Sequence, residues 1–423
     1  MTSVNWPAAA PETQEVQRTT CCIVGGGPAG GVLALLLVRQ GIAVTLLEAH
    51  KDFDRGFRGD TVHPSTLEIL DEIGLTERLH QLRHVKVFAP TLRVGGSSFT
   101  PVDFRRLNTR FPYIMLMHQP IFLEFVTEEA AKYANFRLVM QANVMALVEE
   151  GGEVHGVRYQ SPQGWHEVRA LLTVGADGRF SRVRQQAGFV PIKTSPPMDV
   201  LWFRLPRLPE DPQVTGGGTG GMRRGHIFGV LDRFDYWQAL YIIAKGQYQE
   251  VRAAGLEALR RSIVEIEPRF AQHVEHLTDW HQFSLLSVEA SRCPRWYKPG
   301  LLLIGDAAHV MSPVGGLGIN YAIQDSVVAA NVLAAPLKSG RVRLRDLGKV
   351  QRQREWPTRF IQGVQSVVQK RIVGGALRSQ EAIKIPWYVR FFFRVPVLRD
   401  LPARVIALGI WRVHVRNATK FNG

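Results

Sequence analysis

The sequence predicts an α/β fold with a doubly wound, mostly parallel sheet, an antiparallel sheet inserted into it, and a helical C-terminal region. Three observations lead to this prediction. A short apolar strand, a glycine-rich turn and a helical run open the chain. Strand-like segments with glycine and proline joints occupy residues 199–289, and helical, arginine-rich sequence follows Gly340. Alternating strands and helices are typical of parallel sheets, whereas successive strands indicate antiparallel pairing.

The first sheet is predicted from apolar runs bounded by helix and turn signals. Each run has the length and flanking residues of a buried strand or of a helix with one apolar face. The strands are expected at residues 21–24, 43–47, 137–139, 171–174 and 301–304, and the helices at 29–40, 65–73, 121–133 and 320–333.

The inserted sheet is predicted from a change of pattern after Asp199. Strands are expected at residues 200–205, 227–230 and 236–243, followed by a helix at 256–266. The resulting division has four parts. They are a loose tail (1–20), a discontinuous nucleotide-binding domain (21–190 and 290–340), a substrate domain (191–289) and a basic helical region (341–423).

Composition excludes several classes of protein. With 423 residues, 45% hydrophobic and 21% charged, the chain is neither disordered nor fibrous. Its three cysteines are too few for a disulfide framework or a spaced metal quartet, so we expect no metal site and a reducing, cytoplasmic setting. The first 20 residues lack the layout of a secretory signal, and no apolar run approaches the ~20 residues that cross a bilayer.

The positive charge is concentrated near the C-terminus. The formal net charge is +15, and residues 341–423 hold 18 Lys and Arg against 4 Asp and Glu. The remaining 34 basic and 33 acidic residues are balanced. Such asymmetry indicates that one surface meets an anionic partner.

A glycine-rich turn follows the first predicted strand and opens the first predicted helix. In such a turn Gly25 permits the tight bend, Gly27 lets a pyrophosphate approach the backbone, and Gly30 allows close helix packing. The helix N-terminus attracts phosphates, and Glu48 at the end of the next strand can bind an adenosine ribose. The pattern predicts a dinucleotide site containing Gly25, Gly27, Pro28, Ala29, Gly30 and Glu48.

A second match to the same glycine spacing serves as a control. Gly216, Gly218 and Gly221 have the spacing, but no predicted strand precedes them and no helix follows. We therefore predict a flexible loop there and a single nucleotide fold in the chain.

Two further motifs follow predicted strands. Residues 175–184 read Gly-Ala-Asp-Gly-Arg-Phe-Ser-Arg-Val-Arg, with Asp177 just after the strand. Residues 305–309 read Gly-Asp-Ala-Ala-His and continue through glycines to Asn320. Asp306 can accept a hydroxyl of a ribityl chain, and the glycines let the backbone lie against a flat ring. A helix starting near Asn320 would direct its positive end at that ring and stabilise a reduced, anionic flavin.

Together the three motifs resemble the FAD-dependent monooxygenases typified by para-hydroxybenzoate hydroxylase. The resemblance covers residues 21–335 and implies a Rossmann-like FAD domain with a sheet-based substrate domain. It also implies that Glu48, with Ala49 beside it, binds the adenine ribose, that Arg58 and Gln119 line the FAD, and that Asp306 holds a ribose or ribityl hydroxyl. Asp177 would belong to the motif tied to FAD and NAD(P)H use. The isoalloxazine would rest on residues 313–320, including Pro313, Gly316, Gly318, Ile319 and Asn320.

The resemblance implies a reaction as well. NAD(P)H reduces the flavin, oxygen adds to it, and the resulting hydroperoxide transfers one oxygen atom to the substrate. His63 is a candidate for moving protons near the ring, although a hydrogen-bonded structural histidine is the favoured interpretation. His309 is expected to support the Gly-Asp turn. After Ala335 we expect the basic helical region in place of the thioredoxin-like domain of phenol hydroxylases, so the resemblance implies no particular substrate.

Aromatic residues of the inserted sheet are the candidates for substrate contact. They provide flat apolar surface, which predicts a hydrophobic, aromatic or polyketide-like small molecule as substrate. The alternative is that each belongs to an ordinary sheet core. The candidates are Trp202, Phe203, Tyr236, Trp237 and Tyr241.

The basic C-terminal region supports two interpretations. Its helical stripe of Phe360, Ile361, Val364, Val368 and Ile372, and the aromatic residues 387–393 among arginines, suit peripheral contact with an anionic membrane. The favoured alternative is packing on the FAD domain or a second subunit. The chain is expected to be a monomer or homodimer, with no nucleic-acid partner.

Two other functional classes stay open at this stage. A flavin reductase or dehydrogenase acting on isoprenoid double bonds has similar FAD motifs but inserts no oxygen, and a redox-inactive FAD scaffold is a further alternative. The Trp-x-Trp-x-Ile-Pro motif of flavin halogenases and the Cys-x-x-Cys motif of disulfide reductases are absent. No motif distinguishes NADH from NADPH.

Overall fold

The computed structural model of the chain describes residues 15–54, 59–94, 97–211, 218–223, 225–378 and 395–416. Its strands, in chain order, are β1 (Glu15–Val24), β2 (Val44–Leu47), β3 (Thr61–Val62), β4 (Val85–Val87), β5 (Thr91–Val94), β6 (Ser97–Phe99), β7 (Ile114–Leu116), β8 (Phe136–Val139), β9 (Asn143–Glu150), β10 (Glu153–Ser161), β11 (Gly164–Gly175), β12 (Ile192–Thr194), β13 (Met198–Pro206), β14 (Gly218–Arg223), β15 (His226–Asp232), β16 (Tyr236–Ala244), β17 (Ser284–Ser287), β18 (Ala290–Arg292), β19 (Tyr297–Lys298), β20 (Leu301–Leu303) and β21 (His309–Val310).

The helices alternate with these strands in the first half and dominate the last hundred residues. They are α1 (Pro28–Val38), α2 (Pro64–Glu72), α3 (Thr76–His80), α4 (Gln119–Ala131), α5 (Arg182–Gln186), α6 (Tyr248–Ala254), α7 (Leu256–Ile266), α8 (Gly318–Lys338), α9 (Leu344–Val367), α10 (Gly374–Arg378) and α11 (Pro396–Leu408), with a π-helical stretch at Val368–Val373 between α9 and α10.

The main sheet has the order β19-β20-β11-β1-β2-β8, and β20, β11, β1, β2 and β8 run parallel. The hairpin of β9 and β10 extends from β11. Helix α1 is buried along nearly its whole length and packs against α4 and α8. Because parallel strands covered by helices are apolar on both faces, β2 and the end of β1 are continuous buried runs.

The second sheet has the order β17-β13-β16-β15-β14-β5-β6 and is mainly antiparallel. Helix α7 covers one of its faces through Leu259, Ile263 and Ile266. Strands β5 and β6 belong to this sheet although they precede residues 191–289, the predicted substrate domain.

Several predicted elements differ from the structure. The first strand begins at Glu15 rather than residue 21, so residues 15–20 are strand and not tail, and β11 begins at Gly164 rather than at residue 171. The predicted loop around Gly218 and Gly221 is instead β14, while Gly216 lies outside the described residues. A Cβ at Gly220 would lie 2.6 Å from the carbonyl oxygen of Phe228, so the glycine permits close strand pairing. The predicted helix at 256–266 is confirmed.

The C-terminal region packs extensively on the rest of the protein. Helix α9 packs against α8, and α11 packs against α2. Ala403 and Ala407 of α11 share a core cluster with Val87, Phe104 and Leu116. Within the described residues, none of the helices is both long and apolar enough to cross a membrane.

Candidate active site

The glycine-rich turn joins β1 to α1 and has the geometry that a dinucleotide requires. Gly25 has a φ of +104°, and a Cβ there would lie 2.5 Å from the carbonyl oxygen of Ala176. A Cβ at Gly30 would lie 1.9 Å from the carbonyl oxygen of Gly25. A Cβ at Gly27, in contrast, would have no neighbour within 4 Å among the described residues. The turn is therefore tightly packed at Gly25 and Gly30 and open at Gly27, and the open side offers the space that a pyrophosphate needs.

The N-terminus of α1 lacks a side-chain cap. Its N-cap residue is Gly27, Pro28 occupies the first turn, and no acidic side chain lies there. Uncapped amide groups and the positive end of the helix dipole favour a bound anion. The structure therefore fits the phosphates of FAD at this turn.

Glu48 lies beside this turn at the end of β2. Its Oε2 accepts a hydrogen bond from the Gly26 amide (2.9 Å), and its Oε1 accepts one from the His50 amide (3.0 Å). The imidazole Nδ1 of His50 is 2.6 Å from the same Oε1. The carboxylate is buried and oriented by backbone groups, while Ala49 is exposed. Glu48 is thus held next to the glycines from which a nucleotide would extend.

The second motif is tied to the third through Arg184. Its guanidinium donates to the carbonyl oxygens of Ala307 (3.1 Å) and Arg179 (2.7 Å). Asp177 accepts hydrogen bonds from the Ser181 hydroxyl (2.5 Å) and the Val183 amide (3.1 Å), and burial raises the pKa of its carboxyl group. Asp177 therefore organises its own turn, whereas Arg184 connects the two motifs.

A fully buried charge cluster supports the Gly-Asp turn. Asp325 of α8 accepts from the Gly305 amide (3.0 Å), lies 2.6 Å from His309 Nε2 and accepts from Arg354 Nε of α9 (2.7 Å). Burial alone would raise the pKa of Asp325, but His309 and Arg354 hold it below its ordinary value. The cluster fixes the backbone that presents half-buried Asp306. His309 accordingly has the supporting position expected of it.

Residues 313–317 form the turn before α8, residues 318–320 are the first three residues of α8, and the whole segment lies against β3. Gly316 has a φ of +63°, and a Cβ there would lie 2.5 Å from the hydroxyl of Thr61. The Asn320 side chain is buried, and its Oδ1 accepts from the His63 amide (2.8 Å) and the Thr66 hydroxyl (2.8 Å). The side chain of Asn320 therefore holds the turn in place. Pro313, Gly318 and Ile319 are half-buried on the same segment.

Gln119 and Gly59 connect this segment to the second sheet. Ile319 packs against Gly59, where a Cβ would lie 3.4 Å from its Cδ1, and Gln119 Nε2 donates to the Gly59 carbonyl oxygen (3.1 Å). The next residue, Asp60, forms a buried ion pair with Arg233 from the turn between β15 and β16 (2.8 Å). Burial lowers the pKa of Arg233. Arg58, which precedes Gly59, lies outside the described residues.

His63 is buried between β3 and the C-terminal helix α11. Its Nδ1 donates to the carbonyl oxygen of Ile406 (2.7 Å), and burial lowers its pKa to about 4. The imidazole is therefore neutral near pH 7, with a proton on Nδ1. Its Nε2 has no hydrogen-bond partner among the described residues.

The substrate candidates divide between the two faces of the second sheet. Trp202 packs in a cluster with Val314 of the 313–317 turn, whereas Phe203, Trp237 and Tyr241 lie in the core beneath α7. Trp237 Nε1 donates to Asp211 (2.8 Å), and the Tyr241 hydroxyl pairs with Ser262 (2.8 Å). Alternate residues of a strand point to opposite faces of a sheet. Trp237 and Tyr241 therefore lie on the face opposite to Trp202, and their polar groups already have partners within the protein.

Tyr236, at the start of β16, lies next to the N-terminus of α4. Its hydroxyl is 3.0 Å from His118 Nε2, and the Arg204 guanidinium lies 4.8 Å from its ring centroid. Burial lowers the pKa of His118 and raises that of Tyr236. Sequence analysis did not identify three residues of the site, because each acts through a contact with a residue far from it in the sequence. They are His118, Arg233 and Arg354. A buried arginine in a helix gives no local signal.

Comparison with known proteins resolves the family. A family model described as an FAD binding domain matches residues 18–355. The 6-methylpretetramide 4-monooxygenase of Streptomyces rimosus is 34% identical over 393 residues, which cover 92% of each chain. The chain belongs to the FAD-dependent monooxygenases. FAD is the cofactor of this monooxygenase, and NAD(P)H is the reductant typical of the family.

Solved structures agree with the fold of the monooxygenase. OxyS anhydrotetracycline hydroxylase from Streptomyces rimosus has a TM-score of 0.72 and 24% identity, covering 92% of this chain and 76% of that one. The flavin-dependent brominase Bmp2 has a TM-score of 0.75 and 14% identity, covering 96% and 97%. At these identities the similarity concerns the fold alone. The sequence relatives, which are monooxygenases, favour oxygen insertion over the reductase alternative.

Proposed function

We propose that this monooxygenase hydroxylates an aromatic polyketide related to the pretetramides. The observation that carries this proposal is the 34% identity with 6-methylpretetramide 4-monooxygenase, which extends over 92% of both chains. Apolar side chains of the second sheet, in a cluster that also contains Val314, Val373 and Leu377, supply walls suited to a substrate of this class.

In the proposed arrangement the first motif holds the adenosine and pyrophosphate of FAD. The α1 N-terminus faces the phosphates, and Glu48 binds the ribose next to Ala49. Gln119 and Asp306 hold the middle of the cofactor, and Asp177 organises the neighbouring turn. The proposed cofactor residues are Gly25, Gly27, Pro28, Ala29, Gly30, Glu48, Ala49, Arg58, Gln119, Asp177, Asp306, Pro313, Gly316, Gly318, Ile319 and Asn320.

Bound FAD supplies hydride acceptance and oxygen activation. The chain supplies position, polarity and exclusion of water. Backbone groups of residues 313–320 would support the ring, with Asn320 keeping the turn in register. His63 presents a neutral imidazole fixed in one tautomer by Ile406. We propose that this imidazole supports the turn and can also move protons near the ring.

The substrate surface in this proposal consists of the sheet face that carries Trp202. Met222, Leu240 and Ile242 extend that face toward Val314, and none of these was a sequence candidate. At its edge the Tyr236 hydroxyl and His118 can exchange a proton with a phenol of the substrate, since both groups donate and accept.

We also propose a domain division, an oligomeric state and a location for the protein. The FAD domain would comprise residues 21–190 and 290–340, extended to Glu15 by β1 but without β5 and β6. Those two strands would join the substrate domain at 191–289, and the basic region would comprise residues 341–423. The protein would act as a monomer or homodimer in the cytoplasm. The basic C-terminal region would make peripheral contact with an anionic membrane.

Isotope labelling tests the proposed reaction. The purified yellow protein is incubated with NADH or NADPH, ¹⁸O₂ and a pretetramide-type polycyclic phenol, and the product is examined by mass spectrometry. We expect one ¹⁸O atom in the product, with little peroxide released. Consumption of NAD(P)H with a reduced, unlabelled product would contradict oxygen insertion and favour a reductase.

A further inference from the structure

Helix α9 leaves a continuous apolar stripe in contact with water. Its inner face is buried through Leu347, Val350 and Ile361. Four apolar side chains on the outer face are exposed: Trp356 (54%), Phe360 (45%), Val364 (38%) and Val367 (58%). Their spacing of four, four and three residues places them on one side of the helix. The structure thus corrects the predicted stripe, because Ile361 faces inward.

The charged residues around this stripe are uniform in sign. The exposed charged side chains of α9 and the π-helical stretch are Arg345, Lys349, Arg352, Arg359, Lys370 and Arg371. The two acidic residues of α9 are half-buried and engaged elsewhere. Asp346 accepts from the Arg343 amide (3.0 Å), and Glu355 accepts from Gln351 (3.1 Å). Among these six exposed cations, Arg359 is the one for which the described residues supply a nearby carboxylate, that of Glu355 at 3.8 Å.

This combination restricts what can cover the stripe. A second copy of the chain would bring a second set of six cations against the first, which disfavours self-association through this face. Nucleic acid would satisfy the cations and could stack on the aromatic rings, but it would leave Val364 and Val367 without apolar contact. An anionic lipid surface satisfies both features, because apolar side chains enter the acyl boundary while Lys and Arg reach the phosphates.

We propose that the outer face of α9, defined by Trp356, Phe360, Val364, Val367 and their six basic neighbours, binds an anionic bilayer surface. This inference rests on the peripheral-contact part of the proposed function and names the residues that make the contact. The helix lies in the interface and does not span the bilayer. The aromatic residues 387–393 lie outside the described residues, and the proposal does not depend on them.

Vesicle sedimentation tests the proposal with the full-length, FAD-loaded protein. The probes are phosphatidylcholine vesicles with and without phosphatidylglycerol, at low and high salt. We expect binding only to the anionic vesicles and its loss at high salt. Near an anionic surface each cation contributes about 1 kcal/mol, so the Lys349→Gln, Arg352→Gln double variant should bind about 30-fold more weakly. The Trp356→Gln, Phe360→Gln double variant should also lose most binding.

Matched variants control for charge and aromaticity elsewhere. Lys51→Gln removes an exposed cation of the FAD domain, and Trp411→Gln removes an aromatic that is 66% exposed outside α9. Both should bind like the wild type. Flavin content and turnover without vesicles report on folding and on the proposed reaction separately, so failure of one proposal is distinguishable from failure of the other.

Three results would overturn the membrane proposal. One is failure of the wild type to bind anionic vesicles. Another is unchanged binding by both α9 double variants, which would assign the contact to a different surface. The third is a dimer in light scattering that becomes monomeric in the Trp356→Gln, Phe360→Gln variant, which would assign the stripe to a second copy of the chain.

Discussion

The two ends of the proposed FAD site are built by different means. At the adenosine end, backbone geometry dominates: Gly25, Gly27 and Gly30 lie within six residues, and Glu48 is oriented by the Gly26 and His50 amides. At the ring end, side chains from distant segments meet. Asn320 binds His63 and Thr66, and His63 reaches Ile406, 343 residues away.

This difference predicts different responses to mutation. A backbone-built site fails when a side chain enters space that the backbone needs. A site built by side chains fails when a buried partner is lost, with a cost set by burial and charge. Substitutions at the two ends can therefore be ordered by expected effect.

The largest effect is expected at Gly30. An alanine there places its Cβ 1.9 Å from the carbonyl oxygen of Gly25, so the β1–α1 turn must open and Gly30→Ala should lose both its stable fold and its FAD. Thermal unfolding and the flavin-to-protein ratio measure both. As a control, the methyl group of Gly363→Ala in α9 meets nothing within 4 Å in the described part of the chain, so this variant should be neutral or stabilised by up to about 1 kcal/mol. A Gly30→Ala protein that melts like the wild type would refute the packing argument.

Loss of the buried cation Arg354 should have the next largest effect. Arg354→Met leaves Asp325 with only His309 and the Gly305 amide as partners among the described residues, and breaking a buried pair costs about 3–5 kcal/mol. The free energy of unfolding in urea is the measurement. Arg352→Met, on the exposed side of α9, should change it by less than about 0.5 kcal/mol. Equal stabilities for the two variants would show that the cluster contributes little.

His63 should produce a smaller effect that depends on pH. Its pKa is lowered to about 4 in the folded protein, against 6.5 ordinarily, so between these values the unfolded chain binds the extra proton. The stabilisation is fully present above pH 6.5 and is lost as pH falls toward 4, by about 3 kcal/mol in total. His63→Gln should remove this part of the pH dependence of the free energy of unfolding. A difference between the two proteins that stays constant from pH 7 to pH 4 would contradict the burial of a neutral imidazole.

The difference between a site built from local backbone and a site built from distant side chains also explains what the sequence could predict. The β1–α1 turn, Glu48 and the Gly-Asp turn after β20 are local features, because glycine spacing and strand ends are visible in a few dozen residues. The choice between Trp202 and Trp237 as substrate contacts required the register of β13 and β16, which decides the face on which each side chain lies.

The contacts of the C-terminal region could not be predicted from the sequence, because they depend on which side chains of each helix face inward. Arg354 differs little in sequence context from exposed Arg352, yet it is fully buried against Asp325. Periodicity identified a helix and an apolar stripe but not which apolar residues face inward. Similarly, Gly218–Arg223 is a strand because β5 and β15 border it, and β5 comes from residues more than a hundred positions earlier.

The most direct test of the proposed FAD site is fluorescence titration of the apoprotein with FAD, comparing the wild type with Gly27→Ala. The added methyl group meets no atom of the described residues within 4 Å, and the φ of −73° at this position suits alanine, so the variant should fold and melt normally. The methyl group would occupy the space proposed for the pyrophosphate, so the account predicts FAD affinity at least about tenfold weaker. A stable Gly27→Ala protein that binds FAD as tightly as the wild type would contradict it.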